Sequence, residues 1–258
     1  MGINNSPKVE VRMHRFFANE GQISKNQICI TGLDVNHIKN VLRMKIGDEI
    51  VVGGSDNLEY TCVIKEIADE EIIVEIKHIK ETNAELPSRI YLFQGLPKGD
   101  KMELIIQKCV ELGVFEIVPV AMKHCVVKLD KKRATAKVKR WQTIAESAAK
   151  QAGRTIIPQI LEVKNFAEAV EYAKELDVCI MPYERAVDIK DTRKFLNKIK
   201  AGQSIGIFIG PEGGFADEEV AVASAANFKT VTLGKRILRT ETAGITTLSI
   251  LMFLMEEA

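Results

Sequence analysis

The chain has no apolar run long enough to cross a bilayer. Its longest, Gly244 to Met255, falls well short of the roughly 20 residues a membrane-spanning helix needs and reads as a buried helix. Residues 1–12, MGINNSPKVEVR, contain no apolar signal core and read as a disordered extension. The five cysteines (Cys29, Cys62, Cys109, Cys125 and Cys179) include no C-x-x-C pair. Three of them sit in apolar, strand-like runs, so reduced core thiols in a cytoplasmic protein are expected. His124 and Cys125 are adjacent, but no second ligand pair lies at zinc-like spacing, and no metal is expected. Internal repeats and low-complexity segments are missing as well. What is left is ordinary globular material, 46% hydrophobic and 28% charged over 258 residues, enough for one large domain or two smaller ones.

A dominant charge is absent in sum but not in distribution. The net charge is +1, yet residues 13–86 carry −5, residues 87–158 carry +8 and residues 159–258 carry −3. The middle third is the natural footprint for a polyanion. Its densest part is Lys128 to Arg140, K-L-D-K-K-R-A-T-A-K-V-K-R. Taken alone, the same run also fits a solvated helix start.

Two rhythms divide the chain. Up to about Leu86 the runs Q-I-C-I-T, D-E-I-V-V, Y-T-C-V-I-K-E-I and I-I-V-E-I-K-H-I are β-branched and separated by turn residues, which suggests a small barrel. One helix interrupts them, with Asp34 as its cap and Val35, Ile38, Val41 and Leu42 on one face. E-T-N-A-E-L-P-S, ending at Ser88, reads as a linker. Beyond it, strands at 90–95, 115–120, 178–181, 205–209 and 230–233 alternate with helices. The helix after Asp100 is expected to open with an acidic capping box, Asp100 and Glu103. The others are expected at 134–151, 166–176, 192–199 and 217–226. That alternation predicts an α/β unit with a parallel sheet covered on both faces.

Ligands of open parallel sheets collect at the carboxyl ends of the strands, and two strands here end in unusual loops. The first is F-I-G-P-E-G-G-F, residues 208–215. It lacks the lysine and hydroxyl of a phosphate-binding P-loop and the spacing of a dinucleotide fingerprint. Glu212 would also repel a phosphate. Its glycines therefore suit an uncharged or cationic ligand held close to the backbone, although a tight turn before a helix is the plain alternative. The second is L-G-K-R-I-L-R-T-E-T-A, residues 233–243. Gly234 allows close approach, Arg239 supplies a cationic fork, and Thr240, Glu241 and Thr242 open an apolar helix whose first amides are unpaired.

These two loops, with M-H-R-F-F, H-I-K-N-V-L-R-M-K-I-G-D, L-P-K-G-D-K-M-E, K-C-V-E-L-G-V and E-S-A-A-K-Q-A-G-R-T-I-I-P, resemble the SPOUT class of S-adenosylmethionine-dependent RNA methyltransferases. More narrowly they resemble the family that methylates N3 of a uracil in 16S ribosomal RNA. The resemblance runs over almost the whole chain from Met13. It implies a PUA-like RNA-binding barrel over 13–86 and a SPOUT domain with a deep trefoil knot over 87–258. It implies S-adenosylmethionine at Gly210, Pro211, Glu212, Gly213, Leu233, Gly234, Ile237, Leu238, Thr242 and Ala243. Catalysis is expected of Arg239, which would stabilise the uracil anion, and of Glu241, either as base or as the group fixing Arg239. RNA contacts are expected at Arg15, Arg43, Gln151 and Arg154. The implied partners are 16S ribosomal RNA or the assembled small subunit, and a second copy of the chain, with no membrane. One departure is visible: Ala216 stands where many relatives carry a capping Ser or Thr, and Asp217 is expected to cap instead. A SPOUT enzyme acting on ribose 2′-OH or another base, or a non-catalytic RNA-binding assembly factor, fits the residues less fully.

Overall fold

The computed structural model describes residues 13–54, 58–82, 84–186 and 188–256. The expected N-terminal extension, residues 1–12, lies outside them. The described residues fall into two compact units, one before and one after position 83.

In the first unit the β-branched runs pair in the order β1 (His14–Ala18), β3 (Glu49–Gly54), β4 (Leu58–Ile67), β5 (Glu71–Glu81) and β2 (Gln27–Thr31). Neighbours are antiparallel except β1 and β3, which run parallel with His14 opposite Ile50. β1 comes from M-H-R-F-F, too polar at its start to read as a strand. Its alternation is nonetheless regular, with Phe16 and Ala18 turned inward. Register shifts between β4 and β5 at Thr61/Cys62 and Ile64/Glu66 bend the hairpin. Ile50, Val52, Cys62, Ile64, Ile72 and Val74 then close on Phe16, Ile28 and Ile30 in one core.

The helix of this unit differs from expectation. α1 spans only Leu33–Asn36 and passes into a π-helical turn, His37–Val41. Gly32, at φ 74°, occupies the N-cap position expected of Asp34. Val35 and Ile38 are buried, but Val41 is 65% exposed. The wider π turn rotates it off the face on which a 3.6-residue period would place it.

The second unit is built on a parallel sheet in the order β12 (Lys229–Val231), β10 (Val178–Pro182), β11 (Ser204–Ile209), β6 (Arg89–Gly95), β7 (Glu116–Ala121) and β8 (Gln159–Ile160). A further short strand, β9 (Lys164–Asn165), also pairs with β7. Among the described residues six helices accompany it: α2 (Lys101–Glu111), α3 (Lys131–Gln151), α4 (Phe166–Ala173), α5 (Ile189–Leu196), α6 (Asp217–Ala225) and α7 (Thr240–Met255). Strand alternation sorts the two faces. Leu92, Gln94 and Ile209 lie against Gly244 of α7. Phe93 and Phe208 stack at 4.2 Å on the other face, with Tyr172 and Phe166 of α4 edge-on to them.

Three local expectations are corrected. Asp100 holds the N-cap position of α2, but its side chain makes no capping bond, and Glu103 is bound instead by Arg140 at 2.8 Å. Ala216 caps α6 with the help of the buried Glu219, whose carboxylate accepts the Ala216 N–H at 2.9 Å and the Lys123 N–H at 2.8 Å. Asp217 is thus the first helical residue and pairs with Arg185 at 3.1 Å. The segment expected to be a linker is partly built into the second unit. Glu85 accepts the backbone N–H groups of Thr155 and Ile156 at 2.9 and 3.1 Å, and Leu86 covers Gly113.

β12 is an edge strand, yet α7 begins at the centre of the sheet. From Thr232 to Arg239 the chain returns from that edge, and Thr240 bonds to Gly210 after β11 and to Gln94 of β6.

Candidate active site

At the carboxyl ends of β10 and β11 lies a cleft of about 440 Å³, within the range of small-ligand sites. Residues 209–212 with Gly214 and Phe215 form one wall, the returning strap 232–239 another, and Tyr183 and Glu184 a third; Lys101, Thr240 and Ala243 also line it. The 210–215 loop is held by close packing. A Cβ on Gly95 would come within 2.7 Å of the Pro211 nitrogen, so only glycine lets β6 end there. Gly213 packs the same way against the β7–α3 loop. A Cβ there would lie 2.8 Å from that of His124, whose Nδ1 is 3.0 Å from the Gly213 carbonyl. Gly213 therefore supports the wall from outside, while Gly210, Pro211 and Glu212 face the cleft.

The strap and the loop are joined at one point. The Thr240 hydroxyl donates to the Gly210 carbonyl at 2.7 Å and accepts from Gln94 Nε2 at 2.8 Å. Gln94 was not among the expected site residues. Its signal was a lone polar residue inside the apolar run I-Y-L-F-Q-G, since a buried amide must find partners.

Leu233 and Leu238 are half-buried, and Ile237 is 86% exposed at the lip. Arg239 takes the N-cap position of α7 in extended backbone, φ −67° and ψ 155°. Its side chain has neither an ion pair nor a hydrogen bond among the described residues. The amides of Thr240, Glu241 and Thr242 fall in the first turn, where no intrahelical acceptor exists. Ala243 lines the cleft, whereas Thr242 is exposed and lies off the lining.

Glu212 is neutralised within the protein. Its carboxylate accepts the Lys98 N–H at 3.1 Å and the Lys101 ammonium at 2.9 Å. Burial opposes its ionisation, but Lys101 and the amides of Glu212 and Lys98 together hold the carboxyl below the usual range. The Glu212 carboxylate in turn raises the Lys101 ammonium above its usual value. Lys101 also lies 3.4 Å from Glu241, and among the described residues no ion pair joins Glu241 to Arg239. Lys101 is the second residue that sequence reasoning missed, although it stands in L-P-K-G-D-K-M-E.

The four arginine and glutamine positions expected to meet RNA differ in kind. Arg154 is 3% exposed, with its guanidinium spent on Glu85 and on the carbonyls of Val110 and Val114 at 3.2 and 2.6 Å. It has no face left for a phosphate, which corrects that expectation. Arg15 is paired with Glu59. Gln151 is exposed at the end of α3, and Arg43 is exposed at φ 53°, a left-handed conformation uncommon for a non-glycine residue. The basic run 128–140 lies mostly on α3, which starts at Lys131 under an Asp130 cap at 2.8 Å. Burial pushes the thiols of Cys62, Cys109 and Cys179 up to about 12, so these are not nucleophiles.

A cleft at the strand ends of a parallel sheet, walled by a glycine-rich loop and a returning strap, belongs to a recognisable class. A family model described as the RNA methyltransferase domain matches residues 84–252, and one described as the RNA methyltransferase PUA domain matches residues 30–77. Ribosomal RNA small subunit methyltransferase E of Bacillus subtilis is 36% identical, over 95% of this chain and 98% of its own length. A solved ribosomal RNA small subunit methyltransferase E from Neisseria gonorrhoeae, bound to S-adenosyl methionine, is 33% identical with a TM-score of 0.79, covering 94% of this chain and 98% of that one. A putative methyltransferase from Legionella pneumophila, solved with the bound cofactor SAM, is 33% identical with a TM-score of 0.80, covering 93% and 97%. The chain belongs to the ribosomal RNA small subunit methyltransferase E family.

Proposed function

We propose that the protein transfers the methyl group of S-adenosylmethionine to N3 of a uracil in 16S ribosomal RNA, uridine 1498 in the usual numbering. Naked RNA or the assembled small subunit is the substrate, and the working form is a homodimer. The observation that carries this reading is Arg239, a guanidinium unpaired among the described residues, at the mouth of the cleft beside the open amides of α7.

The lining fits the cofactor. Leu233, Ile237 and Leu238 offer apolar surface for an adenine ring, and the 86% exposure of Ile237 leaves area for a ligand to cover. Gly210, Pro211 and the first amides of α7 offer backbone groups for its polar parts, and Glu212 and Glu241, two carboxylates against the single cation of Lys101, leave negative charge for its cation. When bound, S-adenosylmethionine supplies an electrophilic methyl group on a positively charged sulfur.

The chain's own residues prepare the acceptor. Uracil N3–H is a weak acid, and N3 is a poor nucleophile until that proton leaves. The Arg239 fork on a uracil carbonyl stabilises the negative charge that develops there. Glu241 is the proton acceptor: its Oε2 is buried, 3.4 Å from Lys101, with no hydrogen-bond partner among the described residues. Arg43, Gln151 and the basic face of α3 hold the RNA backbone while the target base leaves its stack.

Nucleoside analysis of 16S ribosomal RNA from a strain lacking the protein tests this. The expected result is loss of 3-methyluridine with every 2′-O-methyl retained. Loss of a 2′-O-methyl group instead would move the acceptor to ribose.

A further inference from the structure

We infer that Glu212, Glu241 and Lys101 act together as a charge filter, favouring a cationic donor over the neutral thioether left after methyl transfer, with Lys101 setting the strength of that preference. The inference rests on reading the cleft as the S-adenosylmethionine site.

Three distant pieces of chain converge here. Lys101 opens α2, Glu212 lies in the loop after β11, and Glu241 stands in the first turn of α7. The ammonium is 2.9 Å from Glu212 and 3.4 Å from Glu241. A structural ion pair needs one carboxylate, so the second leaves the cluster with a negative charge in excess. The side chains are only 30%, 27% and 14% exposed for Lys101, Glu212 and Glu241, so this charge is less screened than one in open water. Other charges line the cleft, namely Lys235, Arg236 and Arg239 on the strap and Glu184 opposite. The three cations on the strap are exposed, so salt damps their reach.

The reaction changes the ligand's charge at this place. The bond between carbon and sulfur breaks, the electron pair stays on sulfur, the new bond forms to N3, and the N3 proton leaves to the base. The donor's positive charge disappears. The cluster's excess negative charge, itself cancelled when Glu241 takes the proton, thus loses its attraction for the ligand at the moment release is needed. Lys101 offsets one of the two carboxylates and keeps the donor from being held too tightly.

Titration calorimetry of S-adenosylmethionine and S-adenosylhomocysteine against the full chain tests this without an activity assay. The readout is the ratio of the product's Kd to the donor's Kd. Lys101→Met is expected to raise that ratio about threefold or more, while Glu212→Gln and Glu241→Gln each lower it by about the same factor. Lys101→Arg should stay within about twofold of wild type, and added salt should bring all the ratios together. A variant that merely loosens the cleft weakens both ligands alike and leaves the ratio in place. Unchanged ratios, or shifts of the same sign in Lys101→Met and Glu212→Gln, would overturn the filter while leaving the cofactor site intact. Failure of the wild-type chain to bind either ligand would overturn the reading of the cleft and the filter with it.

Discussion

Replacing Arg239 by alanine is expected to lower methyl transfer to small-subunit RNA by about 10²–10³-fold. The melting temperature should hardly move, because the side chain is exposed and makes no bond among the described residues. Affinity for S-adenosylmethionine should stay within about threefold, since the guanidinium is assigned to the uracil. The loss therefore belongs in kcat, the signature of a contact made chiefly in the transition state. Arg239→Lys should recover little, because a point charge does not reproduce a planar fork of donors. Arg236→Ala removes a neighbouring exposed cation on the same strap and should cost far less. Activity of Arg239→Ala within threefold of wild type would remove this residue from the mechanism.

The second large effect is on stability. Arg154→Ala is expected to destabilise the protein by about 3–5 kcal/mol, the usual result of stripping one partner from a buried ion pair. The arginine is 3% exposed, and its loss leaves Glu85 without its cation and the carbonyls of Val110 and Val114 without a donor. For a unit of this size that corresponds to a fall of roughly 6–20 °C in Tm. Urea unfolding and a thermal melt both read it. A change below about 1 kcal/mol would mean that the Glu85 contact, and not only the RNA role, has been misjudged.

Much of the α/β unit was legible because its strands and helices carry strong, separate periods. β6, β7, β10 and β11 came from short apolar runs, and α6 and α4 began where Asp217 and Phe166 suggested. The ends drifted for local reasons. β12 stops at Val231 because Thr232 and Leu233 leave the ladder to line the cleft. α3 starts at Lys131 because Asp130 caps it, so the basic run reads as helix and not as a lead into one. β8 and β9, at two residues each, give no pattern to detect.

In the cleft, loop residues such as Gly210, Leu233 and Arg239 announced themselves by breaking the pattern around them. What could not be seen was pairing across the chain. Nothing local says that Lys101 will neutralise Glu212, 111 residues away, or that Thr240 will bond to Gln94, 146 residues away. The same blindness placed Arg154 among RNA contacts, because an arginine's burial depends on partners such as Glu85 that lie far off in sequence. The return of the chain from edge strand to sheet centre is equally invisible to periodicity.

The central claim is that the space between residues 210–215 and the strap 233–239 holds the methyl donor with Arg239 at its mouth. A crystal structure of the protein with S-adenosylmethionine tests it most directly. The account predicts the donor in that cleft, its ring against Leu233 and Leu238, with the Arg239 guanidinium still open to an incoming base. Donor density elsewhere, or an empty cleft at saturating concentration, would contradict it.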